Sequence, residues 1–360
     1  MSTTRALAAL RLQPTDLVPW YEHIFHPALV QHFTGIDARQ NPTDAWVKLF
    51  DQLDMDMIGI GQVPHPGRDF FEAMGDDTAD QVRSARHAAD VGFGMPSGTR
   101  SLAGQFQDLE QVFHYQPQND TGPAAVNIVA AEYRPAVRLA EMHWQQQRTA
   151  HRCLTIPDLY TTLFMWPVVI FDWEYFLLAA AEDEARFDQL LDRFFAVSQN
   201  DIATWAAQNP PAILLHDDLC MSTGPMFHPD WYHRYIFPRY RQLFAPLKEK
   251  GTKIIFVSDG KADCFIDDLI VCGIDGFNWD YNVSFQSMLQ RYAGKLCLVG
   301  GIDIRDLSSR SPQWVREETR RLLDLARNVP GFFMNVSGGI PDQVPLENAV
   351  AYVETVAEHR

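Results

Sequence analysis

From residue 211 to the C-terminus, short unbroken apolar runs alternate with longer amphipathic stretches. "PAILLHDD" (211–218), "TKIIFVSDG" (252–260), "IDGFNWD" (274–280), "KLCLVGGID" (295–303) and "GFFMNVSGG" (331–339) each read as one strand. Their apolar runs are continuous rather than alternating, as expected for parallel strands covered on both faces. Between them lie helical stretches such as "HPDWYHRYIFPRYRQLFAPLKEKG", which should end at Gly251 and kink or break at Pro238. "SPQWVREETRRLLDLARNV" predicts a helix with Ser311 as N-cap and Pro312 at its first position. The first half is less regular. It offers "LDMDMIGIG" (53–61), a weaker "ADVGFGMP" (89–96) and "HRCLTIP" (151–157), the last after a helical run "PAVRLAEMHWQQQ". Eight strands alternating with helices predict an α/β fold, a single (β/α)8 barrel over residues 1–360, with residues 1–50 as an N-terminal helical segment over it. The rival is an open doubly wound sheet. It would carry a glycine-rich phosphate turn, and "GIGQVPHPGRD" is not GxGxxG.

Composition narrows the function classes. The chain has 360 residues, 46 acidic against 30 basic, for a net charge of -16. No Lys/Arg cluster offers a nucleic-acid footprint. No apolar stretch reaches the roughly 18 residues of a membrane span, and "TTLFMWPVVIF" stops at Asp172. The N-terminus makes a poor signal peptide. Five cysteines without CxxC spacing fit reduced, mostly buried thiols and a cytoplasmic location.

Carboxylates recur where the strands end. Asp217 and Asp218 close one, Asp259 the next, Asp280 the third and Asp303 the fourth, and Asn335 and Ser337 close the last. A single strand-end Asp is more often a cap or turn former than a ligand contact. Four in succession would repel on a barrel rim unless one is protonated, paired with a cation or metal-bound. Strand alternation puts His216 and Asp218 on one face and Asp217 on the other. His216, Asp218 and Asp259 could thus form a site of N and O donors for a divalent metal. They are the candidate catalytic residues. The competing reading is a hydrogen-bonded His216 behind the wall. Asp217, Trp279, Asp280, Asp303, Asn335, Gly338 and His23 are candidate substrate contacts. Trp279 could cover a planar substrate. His23 and His26 would share a face of a helix if one runs there. Gly260, Gly300, Gly301, Gly338 and Gly339 allow close approach or positive φ, or merely tight loops. No GxSxG elbow is present.

"PAILLHDDLCMSTGPMFHPDWYHRYIFPRYRQLFAPLKEKGTKIIFVSDG", "GIDGFNWD", "LVGGIDIRDLSS" and "IPDQVPLENAVAYV" resemble the uroporphyrinogen decarboxylase superfamily. The likeness covers roughly residues 210 to 355, and more thinly "LQPTDLVPW" and "LDMDMIGI". The resemblance implies a single (β/α) barrel. The chain departs from the porphyrinogen decarboxylases. Where they carry an Arg-Gln-Ala-Gly-Arg stretch it reads "YEHIFHPALVQHF", and near "MIGIG" their catalytic Asp has no counterpart. It also departs from the corrinoid- or thiol-linked methyltransferases, whose zinc-binding His-x-Cys pair and final Cys fall on Val257, Asp259 and Gly338. The expected activity is a decarboxylase-type lyase acting on a small or aromatic carboxylic acid by acid–base chemistry, with no organic cofactor and not on uroporphyrinogen. The alternatives are a methyltransferase with altered metal ligands and a non-catalytic ligand-binding barrel. Expected partners are a small-molecule substrate and, as an option, a second copy in a homodimer; methyl transfer would add a corrinoid protein or a thiol partner.

Overall fold

The structure, a computed structural model, describes residues 2–65, 106–117 and 135–360. Its strands, in chain order, are β1 (Ile24–Phe25), β2 (Met57–Gly59), β3 (Leu154–Ile156), β4 (Asp158–Leu159), β5 (Ala212–His216), β6 (Cys220–Met221), β7 (Gly224–Pro225), β8 (Lys253–Ser258), β9 (Gly276–Trp279), β10 (Cys297–Ile302), β11 (Phe332–Val336) and β12 (Ile340–Pro341). The described helices are α1 (Ser2–Leu10), α2 (Pro27–Thr34), α3 (Pro42–Gln52), α4 (Leu109–His114), α5 (Pro135–Arg148), α6 (Met165–Glu182), α7 (Glu184–Gln208), α8 (Pro229–Tyr235), α9 (Phe237–Lys250), α10 (Ile266–Cys272), α11 (Phe285–Tyr292), α12 (Ile304–Ser309), α13 (Pro312–Ala326) and α14 (Leu346–His359). The fold is α/β, with strands and helices alternating in the chain order of a (β/α)8 barrel, as expected. Among the described residues no helix is long and apolar enough to cross a membrane.

The chain divides into two compact units, Met1–Glu72 with Glu141–Pro157 and Asp275–Arg360, and Ala73–Ala140 with Asp158–Ile274. In the first unit β3 pairs with β2, and β11, β10 and β9 pair in turn, all parallel. Trp20 bridges to Met334 and Tyr21 to Met57, so two residues join β11 to β2. The stretch 89–96, expected to be a strand, lies outside the described residues. The strand place between β11 and β2 belongs instead to Trp20–Tyr21, which sequence reading left inside the N-terminal helical segment. That segment does hold α1, α2 and most of α3. A buried ionic knot ties the unit together. Asp56 pairs with Arg5 at 2.6 Å and Arg360 at 2.7 Å, and it accepts from the Trp20 N–H at 2.9 Å.

In the second unit β4, β5 and β8 pair in parallel, with Ala212 opposite Lys253 and His216 opposite Val257. The run Ile254, Ile255, Phe256 is wholly buried, which is why it reads as an unbroken apolar block. Pro238 breaks the helical stretch between α8 and α9, where its missing N–H is harmless in the first turn. Gly251 closes α9 in the left-handed conformation, with φ 81°.

Candidate active site

The site in the second unit follows from the register of β5 and β8. With His216 opposite Val257, the residues just beyond the two strands run side by side. The Asp217 N–H donates to Val257 O at 3.0 Å, and the Leu219 N–H donates to Ser258 Oγ at 3.2 Å. Alternation then separates the two adjacent aspartates. Asp218 turns toward His216, whose Nε2 lies 2.8 Å from its Oδ1, and the same oxygen accepts the Asp259 N–H at 2.8 Å. One ligand atom from each of His216, Asp218 and Asp259 lies within 4.8 Å of the other two. Burial would lower the His216 imidazole, but the Asp218 carboxylate beside it, helped by Asp259 and Asp217, raises it to about 9. The Tyr160 ring covers His216 at 4.5 Å between centroids. Sequence reading missed Tyr160; its place just beyond β4, one strand over from His216, was the available signal.

Asp217 faces the other way and is fully buried. Its carboxylate accepts the N–H groups of Leu163, Phe164 and Met165 at 2.6, 2.6 and 2.7 Å, and the Tyr240 hydroxyl at 2.7 Å. Burial pushes this carboxyl up to about 6, against the pull of those four donors. Asp217 is thus a brace for the start of α6 rather than the ligand contact expected of it, because its acceptor capacity is spent internally. Gly260, with φ 75°, is where the β6–β7 hairpin packs flush on the turn after β8: a Cβ there would lie 2.1 Å from Cys220 O.

The first unit carries the other expected residues. Trp279 ends β9, and its ring lies against Gly300, where an added Cβ would come within 2.4 Å. Trp279, Asp280 and Asp303 help line a cavity of about 210 Å³ together with Tyr281, Trp314 and Ser337. Asp280 accepts the N–H of Tyr281 at 2.6 Å, and Asp303 caps α12 and pairs with Arg305 at 2.7 Å. Asn335 is a correction of the same kind as Asp217. It is buried, and its Nδ2 donates to Tyr21 O at 3.1 Å and Glu22 Oε1 at 3.2 Å. Gly338 has φ 80° and open space where a side chain would stand. His23 and His26 share no helix. His23 precedes β1 and hydrogen bonds the Tyr21 hydroxyl, while His26 caps α2 by accepting the Leu29 N–H. Glu22, which sequence reading passed over, is wholly buried and accepts from Tyr352 at 2.8 Å and from Val336 N at 3.2 Å. Burial raises it to about 8.

The donor set of His216, Asp218 and Asp259 fits a divalent ion. An imidazole and two carboxylates are hard or borderline ligands whose combined charge of about -2 balances the ion. The soft thiolate set expected of the methyltransferase branch is not available at Val257, Asp259 and Gly338, since only Asp259 offers a donor side chain.

Comparison with known proteins adds the lineage. The sequence profile of the family "Uroporphyrinogen decarboxylase (URO-D)" matches residues 168–359. The uroporphyrinogen decarboxylase of Paraburkholderia phytofirmans is 31% identical over 133 residues, 36% of each chain. That of Burkholderia thailandensis is 29% identical over 131 residues, again 36% of each. The match thus spans about a third of the length of these curated relatives. Among solved structures, a methyltransferase from Methanosarcina mazei has a TM-score of 0.62 at 18% identity, covering 99% of this chain and 98% of the other, a likeness of fold.

Proposed function

The chain belongs to the uroporphyrinogen decarboxylase family, and from that premise we propose that it is a metal-dependent methyltransferase whose centre is held by His216, Asp218 and Asp259. The observation that carries this reading is the convergence of three ligand atoms within 4.8 Å at the ends of two adjacent strands. A divalent ion there would bind and acidify the thiol or hydroxyl of a small acceptor. The chain's own residues have separate tasks. Asp218 orients the His216 imidazole through the bond to Nε2 and is itself held by the Asp259 N–H. Tyr160 packs its ring against that imidazole and limits its tilt. In the transfer, the acceptor would lose its thiol or hydroxyl proton to solvent, its sulfur or oxygen would bond to the methyl carbon, and the bond from that carbon to the donor would break with its electrons leaving on the donor.

A decarboxylase is the second reading, favoured by the identity of the matched relatives over about a third of their length. Here a cationic His216, held by Asp218, would return a proton to carbon as carbon dioxide leaves.

Two measurements test the proposal. Protein prepared without chelator is titrated with Co²⁺ and Mn²⁺, and His216→Ala and Asp259→Asn are titrated alongside. One ion per chain is expected, with affinity at least tenfold weaker in the variants. Methylcobalamin and small thiols are then supplied, and methylated thiol is sought by mass spectrometry. Equal affinity in all three proteins would sink the metal centre. Carbon dioxide released from aromatic acids with no dependence on added metal would transfer the assignment to the decarboxylase.

A further inference from the structure

The cavity of about 210 Å³ in the first unit has aromatic walls and an uneven charge. β9 ends at Trp279 and the chain turns at once, with the Asp280 carboxylate accepting the Tyr281 N–H at 2.6 Å and the Asn282 side-chain amide at 3.0 Å. Phe285 then opens α11, its ring centre 6.1 Å from that of Trp279. From α13 come Trp314, Glu318 and Arg321, whose spacings of four and three put them on one helical face. Asp303 and Asp306 enter from the start of α12. Among the described residues, these four carboxylates face one arginine in the cavity wall. Two of the wall's rings already carry a cation. The Arg305 guanidinium lies 3.7 Å from the Tyr281 ring centre and pairs with Asp303 at 2.7 Å. Arg310 repeats the arrangement, 5.3 Å from the Trp314 ring centre and 2.9 Å from Asp306. In both cases a ring and a carboxylate share one planar cation, the combination that suits a guanidinium. Both arginine side chains are more than half exposed, and neither lines the cavity. Inside it, Trp279 and Asp280, both buried, bring a ring and a carboxylate together again.

We propose that this cavity is a binding site for a small planar organic cation, an amidinium or guanidinium carried on an apolar body. Trp279, Phe285 and Trp314 supply the ring walls, and Asp280 and Glu318 the counter-charge. A carboxylate can accept two parallel N–H groups of such a cation, while the rings meet its flat face. The volume lies below the roughly 300–1,000 Å³ of drug-sized pockets, so the ligand is about one ring in size. The site lies within the first unit and uses none of the residues of the proposed metal centre.

The test titrates the full chain, by isothermal calorimetry, with benzamidinium, its neutral isostere benzamide and its anionic isostere benzoate. Benzamidinium should bind at least about tenfold more tightly than benzamide, the scale of a desolvated cation over a ring, and benzoate more weakly still. Asp280→Asn and Glu318→Gln should each weaken benzamidinium about fivefold or more and leave benzamide within about twofold, since only the charge is removed. Trp314→Leu should weaken both. Urea midpoints check that each variant is folded, and the comparison of the three probes on the unaltered protein needs no variant. Equal affinity for benzamidinium and benzamide would reduce the cavity to an apolar recess. Tighter benzoate would make it an anion site of the neighbouring arginines. Charge-selective binding that none of the three substitutions weakens would put the cation elsewhere. Each of these outcomes overturns the inference, as does the absence of benzamidinium binding by about 10 mM, tenfold above the millimolar affinity of a one-ring fragment.

Discussion

Replacing Gly260 with alanine should destabilise the protein well beyond the same change at Gly251. Both glycines belong to the second unit, and both are left-handed, with φ of 75° and 81°. Each substitution therefore carries the conformational penalty of an L-residue in that region, about 1–2 kcal/mol. At Gly251 nothing lies within 4 Å of the added methyl group. At Gly260 the methyl would fall 2.1 Å from Cys220 O and 2.9 Å from Met221 O. Those are backbone atoms of a paired hairpin, so no rotamer change relieves the overlap. Overpacking of this kind adds about 1–3 kcal/mol. The expected totals are about 2–5 kcal/mol for Gly260→Ala and about 1–2 kcal/mol for Gly251→Ala. Urea unfolding followed by tryptophan fluorescence measures both, provided the slopes match. Equal midpoints would refute the close approach of the hairpin to the turn. Because the hairpin begins at Cys220, two residues past Asp218, Gly260→Ala should weaken Co²⁺ binding as well.

Two further changes probe the buried charges of the first unit. Glu22 is raised to about 8, so the fold favours its neutral form. That contribution is full below an ordinary glutamate value of about 4.3 and is lost as pH rises through 8, a decline on the order of 5 kcal/mol. Unfolding free energies at pH 5 and pH 9 should show the decline, and Glu22→Gln should remove most of it; an unchanged slope would exclude Glu22 as its source. Asp56→Asn removes the buried carboxylate shared by Arg5 and Arg360, 5% and 4% exposed, and leaves them only the more exposed Asp54 and, for Arg5, Asp16. A loss of about 1.5–3 kcal/mol, the scale of hydrogen bonds to a charged group, is expected from urea unfolding, and a loss below about 1 kcal/mol, the scale of an exposed pair, would contradict the knot.

Legibility in the sequence tracked how local each cause was. β5, β8, β9, β10 and β11 sit inside the apolar runs that announced them, because burial on both faces leaves a mark on every residue. Ser311 and Gly251 could be read as helix boundaries because caps act within a few residues. Trp20–Tyr21 could not be read as a strand. Two residues after a proline show no period, and their partners Met334 and Met57 are remote in the chain. At the site, strand alternation was enough to separate Asp217 from His216 and Asp218. What Asp217 does instead depends on Tyr240 and on three amides some fifty residues earlier, which no spacing rule connects.

The carboxylate of Asp217 also sets an order of events during synthesis. α6 has no side-chain cap of its own, since Phe164 precedes it, and its first amides are satisfied by Asp217 from 52 residues further along. At about 5–20 residues per second, that acid emerges from the ribosome roughly 3–10 s after the helix it anchors. Through that interval the start of α6 has only water for its free amides. The helix therefore acquires its native beginning when β5, the strand that carries His216, is delivered.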